Sequence, residues 1–269
     1  WKEHRVERIR RYVDKLFIIF PFEVEYFARR GIDAVYEGNP LMDAIAERCA
    51  AMPPREEFFR ANGFGARPVI ALLAGSRRSE VRNNLPFMAA LAELMPEYDF
   101  VLAAVPWLDR ELYGELLAGS RIICLYDKTY EIVRYADAAV VTSGTATLET
   151  ALIGTPEVVC YRTDALTVWA GRRLLKIPYI SLVNLVMGRE VVKELIQQEM
   201  TPERAAEELR AILPGGGQRE RMLADYDALR KRIGGPGASE RVAARMVALL
   251  KGEKAPRPTE REQENGGAK

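Results

Sequence analysis

The sequence is poor in the residues that most often build metal sites and disulfide frameworks. It has one histidine, His4, and three cysteines, Cys49, Cys124 and Cys160, none of which belongs to a Cys-x-x-Cys pair. A histidine-based metal site is therefore disfavoured. An odd number of widely spaced cysteines excludes a disulfide framework and is typical of a reducing compartment. No metal ion and no cofactor are expected.

A charge excess and long apolar runs are also missing. The 269 residues carry 39 Lys and Arg against 38 Asp and Glu, a formal net charge of +1, which argues against a bulk nucleic-acid binder. Apolar runs such as Leu16–Phe20 are far shorter than the roughly 20 residues of a membrane-spanning helix. With 48% hydrophobic and 29% charged residues, the composition is that of a soluble globular protein.

Short apolar runs alternate with helical periodicity through the middle of the chain. The predicted strands are Val69–Leu73, Asp99–Ala104, Arg121–Leu125, Ala138–Val141 and Glu157–Tyr161, and the predicted helices are Ser79–Leu94, Arg110–Leu117, Tyr130–Tyr135 and Ala146–Ile153. Strands that alternate with helices form right-handed βαβ units. We therefore predict an α/β fold, with a Rossmann-like parallel sheet and helices on both faces, over residues 67–213.

The flanking segments differ from this domain in composition. Residues 41–66, punctuated by Pro53-Pro54 and Asn62-Gly63, have the composition of a linker. Residues 214–250 are predicted to be helical. The polar residues 251–269 are predicted to form a disordered tail.

A first candidate binding turn follows the strand predicted at Val69–Leu73. In Ala74-Gly75-Ser76-Arg77 the strand runs into a turn and then a helix, whose amino terminus favours anions. Gly75 permits a close backbone approach, Ser76 is suited to cap the helix or to donate to phosphate, and Arg77 to hold a diphosphate. The alternative is a helix cap followed by solvated arginines, and the spacing alone leaves both interpretations open.

A second candidate turn follows the strand predicted at Ala138–Val141. Its small side chains open a helix and leave three backbone amides accessible to an anion, and a glutamate one turn later is placed to accept hydrogen bonds from ribose hydroxyls. The residues concerned are Ser143, Gly144, Thr145, Ala146, Thr147 and Glu149. The alternative is a tight turn with Ser/Thr capping and a carboxylate favoured by the helix dipole. Two such turns in one sheet favour phosphate binding.

Other chemistries have little support in the sequence. Neither turn is a Gly-x-Gly-x-x-Gly fingerprint or a Walker A sequence, which disfavours NAD and ATP sites of those kinds. Ser143 lies in no nucleophile elbow. Asp225-Tyr226-Asp227 spells the Asp-x-Asp string of some metal-dependent glycosyltransferases, but its polar helical context predicts a surface segment.

Two segments combine basic and apolar residues and are candidates for contact with anionic lipid. Arg5, Arg8, Arg11 and Tyr12 share helical spacing, and Arg172-Arg173 lies beside Trp169 and Leu174-Leu175. For the first segment, a solvated helix face is favoured over a surface that contacts lipid. The same two interpretations apply to the second segment.

Taken together, the motifs occur in an order that resembles lipid-A-disaccharide synthases. The resemblance covers Trp1 to about Leu250. It rests on Phe20-Pro21-Phe22-Glu23, Gly38-Asn39-Pro40, Leu72–Arg77 with Glu80, Ser143–Glu149, Tyr161-Arg162, Ser181–Leu185, Gly188–Glu190, Glu194-Leu195 and Gln197-Gln198. The opening Trp1-Lys2 is similar to a segment roughly mid-chain in that family.

The resemblance implies the carboxyl-terminal half of a GT-B glycosyltransferase fold and an inverting, metal-free reaction. Such enzymes transfer 2,3-diacylglucosamine from its UDP conjugate to 2,3-diacylglucosamine 1-phosphate (lipid X), form the β-1,6 disaccharide of lipid A and release UDP. By position, Ser143–Glu149 would hold the diphosphate and ribose. Arg77 would neutralise the departing diphosphate, and Asn184 would lie in the donor site.

The resemblance also assigns the flanking segments and the partners. Residues 1–40 would be a remnant of an amino-terminal Rossmann-like domain, 41–66 the interdomain linker, and the helices of 214–250 would pack back toward that domain. The general base would belong to the missing part of that domain, so no catalytic residue is assigned and the chain is expected to be catalytically incomplete. The implied partners are the two lipid substrates and inner-membrane lipids of a Gram-negative bacterium, with the protein cytoplasmic and peripheral. A homodimer stays open.

Two alternatives remain at this level. One is another GT-B-fold UDP-sugar enzyme, such as a UDP-GlcNAc 2-epimerase, which the single histidine of the chain disfavours. The other is a non-catalytic UDP-binding module.

Overall fold

The computed structural model of the protein describes residues 3–162 and 179–252. The apolar-basic segment with Trp169, Arg172-Arg173 and Leu174-Leu175 lies outside the described residues, as does the predicted tail from residue 253 onward.

Helices and strands alternate along the described chain. The helices are α1 (Glu3–Tyr12), α2 (Phe22–Ala28), α3 (Leu41–Ala50), α4 (Arg55–Ala61), α5 (Arg78–Leu94), α6 (Arg110–Leu117), α7 (Thr129–Tyr135), α8 (Thr145–Ile153), α9 (Leu182–Met187), α10 (Pro202–Ile212), α11 (Arg219–Ile233) and α12 (Ala238–Leu250). The strands are β1 (Leu16–Ile18), β2 (Ala34–Tyr36), β3 (Val69–Leu73), β4 (Asp99–Ala104), β5 (Ile123–Tyr126), β6 (Ala138–Thr142), β7 (Glu157–Tyr161) and β8 (Lys193–Ile196).

The chain divides into two compact units. The smaller unit comprises Trp1–Glu47 with Ala228–Lys269, and the larger comprises Arg48–Asp227. The division falls within α3 and within α11.

In the smaller unit, α12 is bound to the segment that follows the parallel pair β1 and β2. The Arg241 guanidinium donates to the Glu37 carbonyl at 2.8 and 3.1 Å, and Arg245 pairs with the Glu37 carboxylate. The Asp43 carboxylate accepts from the backbone amides of Gly237 and Ser239 at the amino end of α12. These bonds lower the pKa of Asp43 although partial burial opposes them.

The larger unit is built on a six-stranded parallel sheet with the order β5-β4-β3-β6-β7-β8. Every residue of β3 and β6 is buried, as expected for central strands covered on both faces. Helices α5 and α10 pack together on one face, and α7 and α8 on the other. The predicted α/β fold is confirmed, and most of the predicted elements of the sheet domain match to within two residues.

Two features of the secondary structure were not anticipated from the sequence. Residues 41–66, predicted from Pro and Gly to be linker-like, contain α3 and α4, and the prolines lie between these helices, where they do not interrupt one. The strand β8 was missed. Its sequence, Lys-Glu-Leu-Ile, has only two adjacent apolar residues, because β8 is one of the two edge strands and edge strands tolerate charged residues.

Candidate nucleotide-binding site

The two candidate turns leave neighbouring strands at one edge of the sheet. β3 and β6 pair in parallel, with Leu73 opposite Val141, so their carboxyl ends lie side by side. From this pair the strand order runs outward in both directions, which makes it the topological switch point of the sheet. Open α/β sheets bind ligands in the crevice at this position. The fold therefore brings the two turns together.

A buried asparagine connects the two strand ends. The Nδ2 of Asn84, on α5, donates to the Ala74 carbonyl at 3.1 Å and to the Thr142 hydroxyl at 2.9 Å. Asn84 is 1% exposed, and its Oδ1 has no partner among the described residues. One side chain thus fixes the spacing of the two turns.

In the first turn, a carboxylate already occupies the backbone amides. Glu80 Oε2 accepts from the amides of Ser76 at 2.9 Å and Arg77 at 3.2 Å, and Glu80 Oε1 accepts from the Arg77 guanidinium at 2.7 Å. Arg77, and not Ser76, takes the N-cap position of α5, so of the two roles suggested for Ser76 the helix cap is wrong and donation to phosphate stays a prediction. The turn offers an anion the Arg77 guanidinium, whose side chain is 78% exposed, and the Ser76 hydroxyl.

Gly75 is required for this arrangement. Its φ is +111°, a conformation that other residues rarely adopt, and a Cβ atom there would lie 2.5 Å from Glu80 Cβ. The indole of Trp107, in the loop after β4, donates to the Ser76 carbonyl at 3.0 Å and flanks the same turn.

The second turn keeps two amides available. Thr147 donates to the Gly144 carbonyl through its hydroxyl at 2.9 Å and through its amide at 3.3 Å. The amides of Thr145 and Ala146, at the start of α8, have no acceptor among the residues that the structure describes. A helix amino terminus with unpartnered amides and a positive dipole end favours an anion. This is the strongest anion-binding feature of the edge.

Glu149 lies in the first turns of α8 and is held by a tyrosine. The Tyr130 hydroxyl, on α7, donates to Glu149 Oε1 at 3.0 Å. Burial raises the pKa of Glu149, and the bond from Tyr130 opposes this shift. Burial and the adjacent Glu149 carboxylate together raise the pKa of Tyr130 to about 12. At neutral pH the tyrosine therefore keeps its proton and acts as the donor.

Asn184 is fully buried and saturated with hydrogen bonds. Its Nδ2 donates to the Val192 carbonyl and to Glu194 Oε1, both at 2.9 Å, and its Oδ1 accepts from the amides of Val191 at 2.7 Å and Val192 at 3.0 Å. The side chain organises the connection from α9 to β8. Its predicted place in the donor site stays a prediction.

This connection is joined to the second turn. Glu194 accepts from the amides of Ile180 and Ser181, and the Ser143 hydroxyl donates to the Ile180 carbonyl at 3.0 Å. The motifs Ser181–Leu185 and Glu194-Leu195 are therefore the two sides of one hydrogen-bonded clasp beside Ser143.

The Asp-x-Asp string was wrongly interpreted as a surface segment. Tyr226 is completely buried, and Asp225 pairs with the Arg189 guanidinium at 2.5 and 2.8 Å. The Arg189 bonds lower the pKa of Asp225. The string thus fastens α11 to the loop after α9.

Other residues of the site carried weaker sequence signals. Glu80 stands three residues after the N-cap, the spacing of a capping box. Asn84 is a polar residue on the apolar face of a predicted helix. The roles of Tyr130 and Trp107 depend on contacts with distant residues, so nothing in the local sequence indicated them.

The match to a family model settles the relationships of the chain. The model of lipid-A-disaccharide synthetases matches residues 1–244. The chain belongs to this family. The resemblance drawn from the motifs is confirmed.

Curated members of the lipid-A-disaccharide synthetase family extend the match. The chain is 40% identical over 256 residues to the lipid-A-disaccharide synthase of Myxococcus xanthus, covering 93% of this chain and 66% of the relative. It is 39% identical over 263 residues to that of Syntrophus aciditrophicus, covering 93% and 67%. The chain thus spans about two thirds of the length of these synthases.

Solved structures similar to this family member share its fold. A UDP-GlcNAc 2-epimerase from Neisseria meningitidis bound to UDP-GlcNAc has a TM-score of 0.57 at 15% identity, over 87% of this chain and 60% of that one. The wall teichoic acid polymerase TagF has a TM-score of 0.55 at 15% identity, over 92% and 60%. At such identities the likeness concerns the fold alone.

No group of three or more His, Cys, Asp or Glu side chains among the described residues could hold a metal ion. No helix of the described chain is both long and apolar enough to cross a membrane.

Proposed function

We propose that the chain is the nucleotide-sugar-binding part of a lipid-A-disaccharide synthase. The full protein would transfer 2,3-diacylglucosamine from UDP to lipid X, form the β-1,6 disaccharide and release UDP. Membership in the family supports the reaction. The topological switch point at the carboxyl ends of β3 and β6 supports the assignment of nucleotide binding to this part of the enzyme. The observation that carries the assignment is the pair of amides at Thr145 and Ala146 that have no acceptor within the described part of the chain.

Each part of the edge has a role in this proposal. The Thr145 and Ala146 amides hold the diphosphate, and Glu149 accepts from the ribose hydroxyls. The Arg77 guanidinium exchanges its carboxylate partner, Glu80, for the diphosphate, which leaves the Ser76 and Arg77 amides capped. The clasp that Asn184 organises supports the donor site from behind Ser143.

The mechanism that follows is an in-line displacement. A general base, in the third of the family's length that this chain does not span, would deprotonate the acceptor 6-hydroxyl. The oxygen attacks the anomeric carbon, the bond to UDP breaks, and negative charge develops on the diphosphate. The α8 amides stabilise that charge from fixed positions, and Arg77 adds to this once it has exchanged Glu80 for the diphosphate, which is the electrostatic part of catalysis.

The lipid substrates place the proposed enzyme at a membrane surface. We propose that the protein is cytoplasmic and attached peripherally to the inner membrane. In α1, the basic segment with Arg8 and Arg11 ends at Tyr12, which is 69% exposed. This end of the helix is the part of the described chain that supports lipid contact.

The experiment removes one amide without disturbing the helix. Thr145 is the first residue of α8 and follows the extended Gly144, a position that proline fits well. Thr145→Pro deletes the N–H, whereas the control Thr145→Ala keeps it. By calorimetric titration, Thr145→Pro should weaken UDP binding by roughly 10- to 100-fold, the worth of a hydrogen bond to a charged group.

Uridine, which has no diphosphate, should bind both variants equally. Equal UDP affinity in Thr145→Pro and Thr145→Ala would overturn the assignment of the α8 amides. The reaction itself is tested on the full-length protein with both lipid substrates. Failure to form the disaccharide, together with intact UDP binding, would favour the epimerase-like or the non-catalytic alternative.

A further inference from the structure

The Tyr130–Glu149 contact fixes one oxygen of a carboxylate in the proposed ribose site. Oε1 receives the tyrosine hydroxyl at 3.0 Å, and the described residues show no bond to Oε2. A carboxylate has acceptor capacity on both oxygens, so one oxygen anchored to protein leaves the other for a ligand. Both side chains are half-buried, which strengthens the bond relative to one in water.

Tyr130 is itself held in place. It lies at the start of α7, which packs against α8, and the Arg48 guanidinium lies 5.9 Å from the centre of its ring. That distance is within the range of a cation–π interaction. The tyrosine therefore has two neighbours that restrict its ring, and its hydroxyl is directed at Glu149.

We propose that Tyr130 is a positioning residue for ribose recognition: it anchors Glu149 so that the free oxygen accepts from the ribose 2′- and 3′-hydroxyls and the site prefers ribonucleotides. This inference rests on the proposed function, because it assumes that UDP binds at this edge. It adds a residue whose contact with Glu149 no local sequence pattern indicated.

The test compares UDP with 2′,3′-dideoxy-UDP, which lacks both hydroxyls, by calorimetric titration. The wild-type chain should prefer UDP by about tenfold or more, since a hydrogen bond to a charged acceptor is lost with the analogue. Tyr130→Phe should reduce this preference to less than about threefold, because the unanchored carboxylate turns toward solvent. Affinity for the dideoxy analogue should stay within about twofold of wild type.

A matched control lies on the same helix. Tyr135 also donates its hydroxyl to a fixed acceptor, the Pro53 carbonyl. Tyr135→Phe removes the same group five residues further along α7 and should leave the preference for UDP unchanged. In a Glu149→Gln background, Tyr130→Phe should have no further effect on the preference, as expected when two residues act through one contact.

A second readout is the pH dependence of UDP binding. The hydrogen bond from Tyr130 lowers the pKa of Glu149 against the effect of burial. Without it the carboxylate becomes protonated at higher pH, so the acid limb of the UDP affinity profile should move upward in Tyr130→Phe. A purely structural role for Tyr130 would weaken both nucleotides equally and leave this limb in place.

The outcomes separate the inference from the proposed function. If the wild-type chain binds no UDP, the proposed function is wrong. If UDP binds and responds to Thr145→Pro, but Tyr130→Phe keeps the full preference for UDP, only the inference is wrong. If Tyr130→Phe fails to fold, the Glu149→Gln variant decides: an unchanged preference there overturns the inference.

Discussion

The side-chain amide of Asn84 donates to the hydroxyl of Thr142 at 2.9 Å and joins the helix after β3 to the end of β6. The same nitrogen bonds the Ala74 carbonyl at 3.1 Å, so both strand ends depend on one buried group. Two loops that bind one ligand must keep a fixed spacing, and loops are otherwise the most variable parts of a fold. Asn84 supplies that spacing from beneath the site.

Replacing Asn84 should therefore cost stability and ligand affinity together. Asn84→Ala leaves the Thr142 hydroxyl and the Ala74 carbonyl buried without their partner, which should lower the free energy of unfolding by about 2–3 kcal/mol. Asn83→Ala, at the exposed neighbouring position, should change it by less than about 0.5 kcal/mol. Urea denaturation measures the free energy of unfolding of both variants. Equal stability of the two variants would contradict the bridging role.

The sequence was sufficient to predict five of the six strands of the sheet and the two turns. The runs at Val69–Leu73 and Glu157–Tyr161 are apolar and bounded by turn residues, which is why their predicted and observed limits agree. The position of the turns follows from general topology, because ligands of such sheets bind at the carboxyl ends of the strands.

The chemistry inside the turns could not be predicted in the same way. That Glu80 occupies the Ser76 and Arg77 amides depends on a side-chain conformation. The contact between Tyr130 and Glu149 joins residues 19 positions apart through the packing of two helices. Local patterns identify which groups are present, but only the tertiary structure decides which of them are already satisfied.

Gly75→Ala should disrupt the first turn. The new Cβ would lie 2.5 Å from Glu80 Cβ and 2.6 Å from its Oε2, at a φ of +111°. Glu80 must move, which uncovers the Ser76 and Arg77 amides, and a loss of about 1–3 kcal/mol is expected.

Gly114→Ala is the control for this change. Gly114 lies inside α6 with open space around its Cβ position, so alanine there should stabilise the chain by up to about 1 kcal/mol. Thermal denaturation should show opposite shifts for the two variants. A melting temperature for Gly75→Ala at or above that of wild type would show that the turn does not depend on glycine.

Glu157 should make the stability of the chain depend on pH. Its carboxyl group, at the start of β7, is completely buried, and neither oxygen has a partner among the described residues. Burial raises its pKa well above the ordinary value of 4.5. Between these two pKa values the folded chain holds a proton that the unfolded chain releases, so rising pH favours unfolding by about 1.4 kcal/mol per pH unit.

The variant Glu157→Gln removes this titration. The free energy of unfolding of the variant relative to wild type should therefore increase as pH rises from about 4.5. Below this pH the difference between the two proteins should no longer change. The exposed Glu93→Gln should run parallel to wild type. Denaturation curves from pH 5 to 8 test this, and a constant difference between Glu157→Gln and wild type would show that the buried carboxyl does not titrate as described.

Asn184→Asp should convert the clasp beside Ser143 into a pH-sensitive one. The substitution keeps the acceptor for the Val191 and Val192 amides but replaces the donor to Glu194, 2.9 Å away, with a second carboxylate. Two carboxylates at this distance cannot both ionise without a large cost. At neutral pH we expect a loss of about 2–4 kcal/mol and faster hydrogen exchange at both amides.

Acidification should reverse part of this loss. Once one carboxyl of the Asn184→Asp pair is protonated, its O–H again donates across the contact, so the variant should recover stability relative to wild type as pH falls. Gln198→Glu adds the same charge at an exposed position and should show little effect at either pH. If Asn184→Asp is as stable as wild type at neutral pH, the clasp does not depend on the bond between Asn184 and Glu194, and the support of the second turn must come from Ser143 alone.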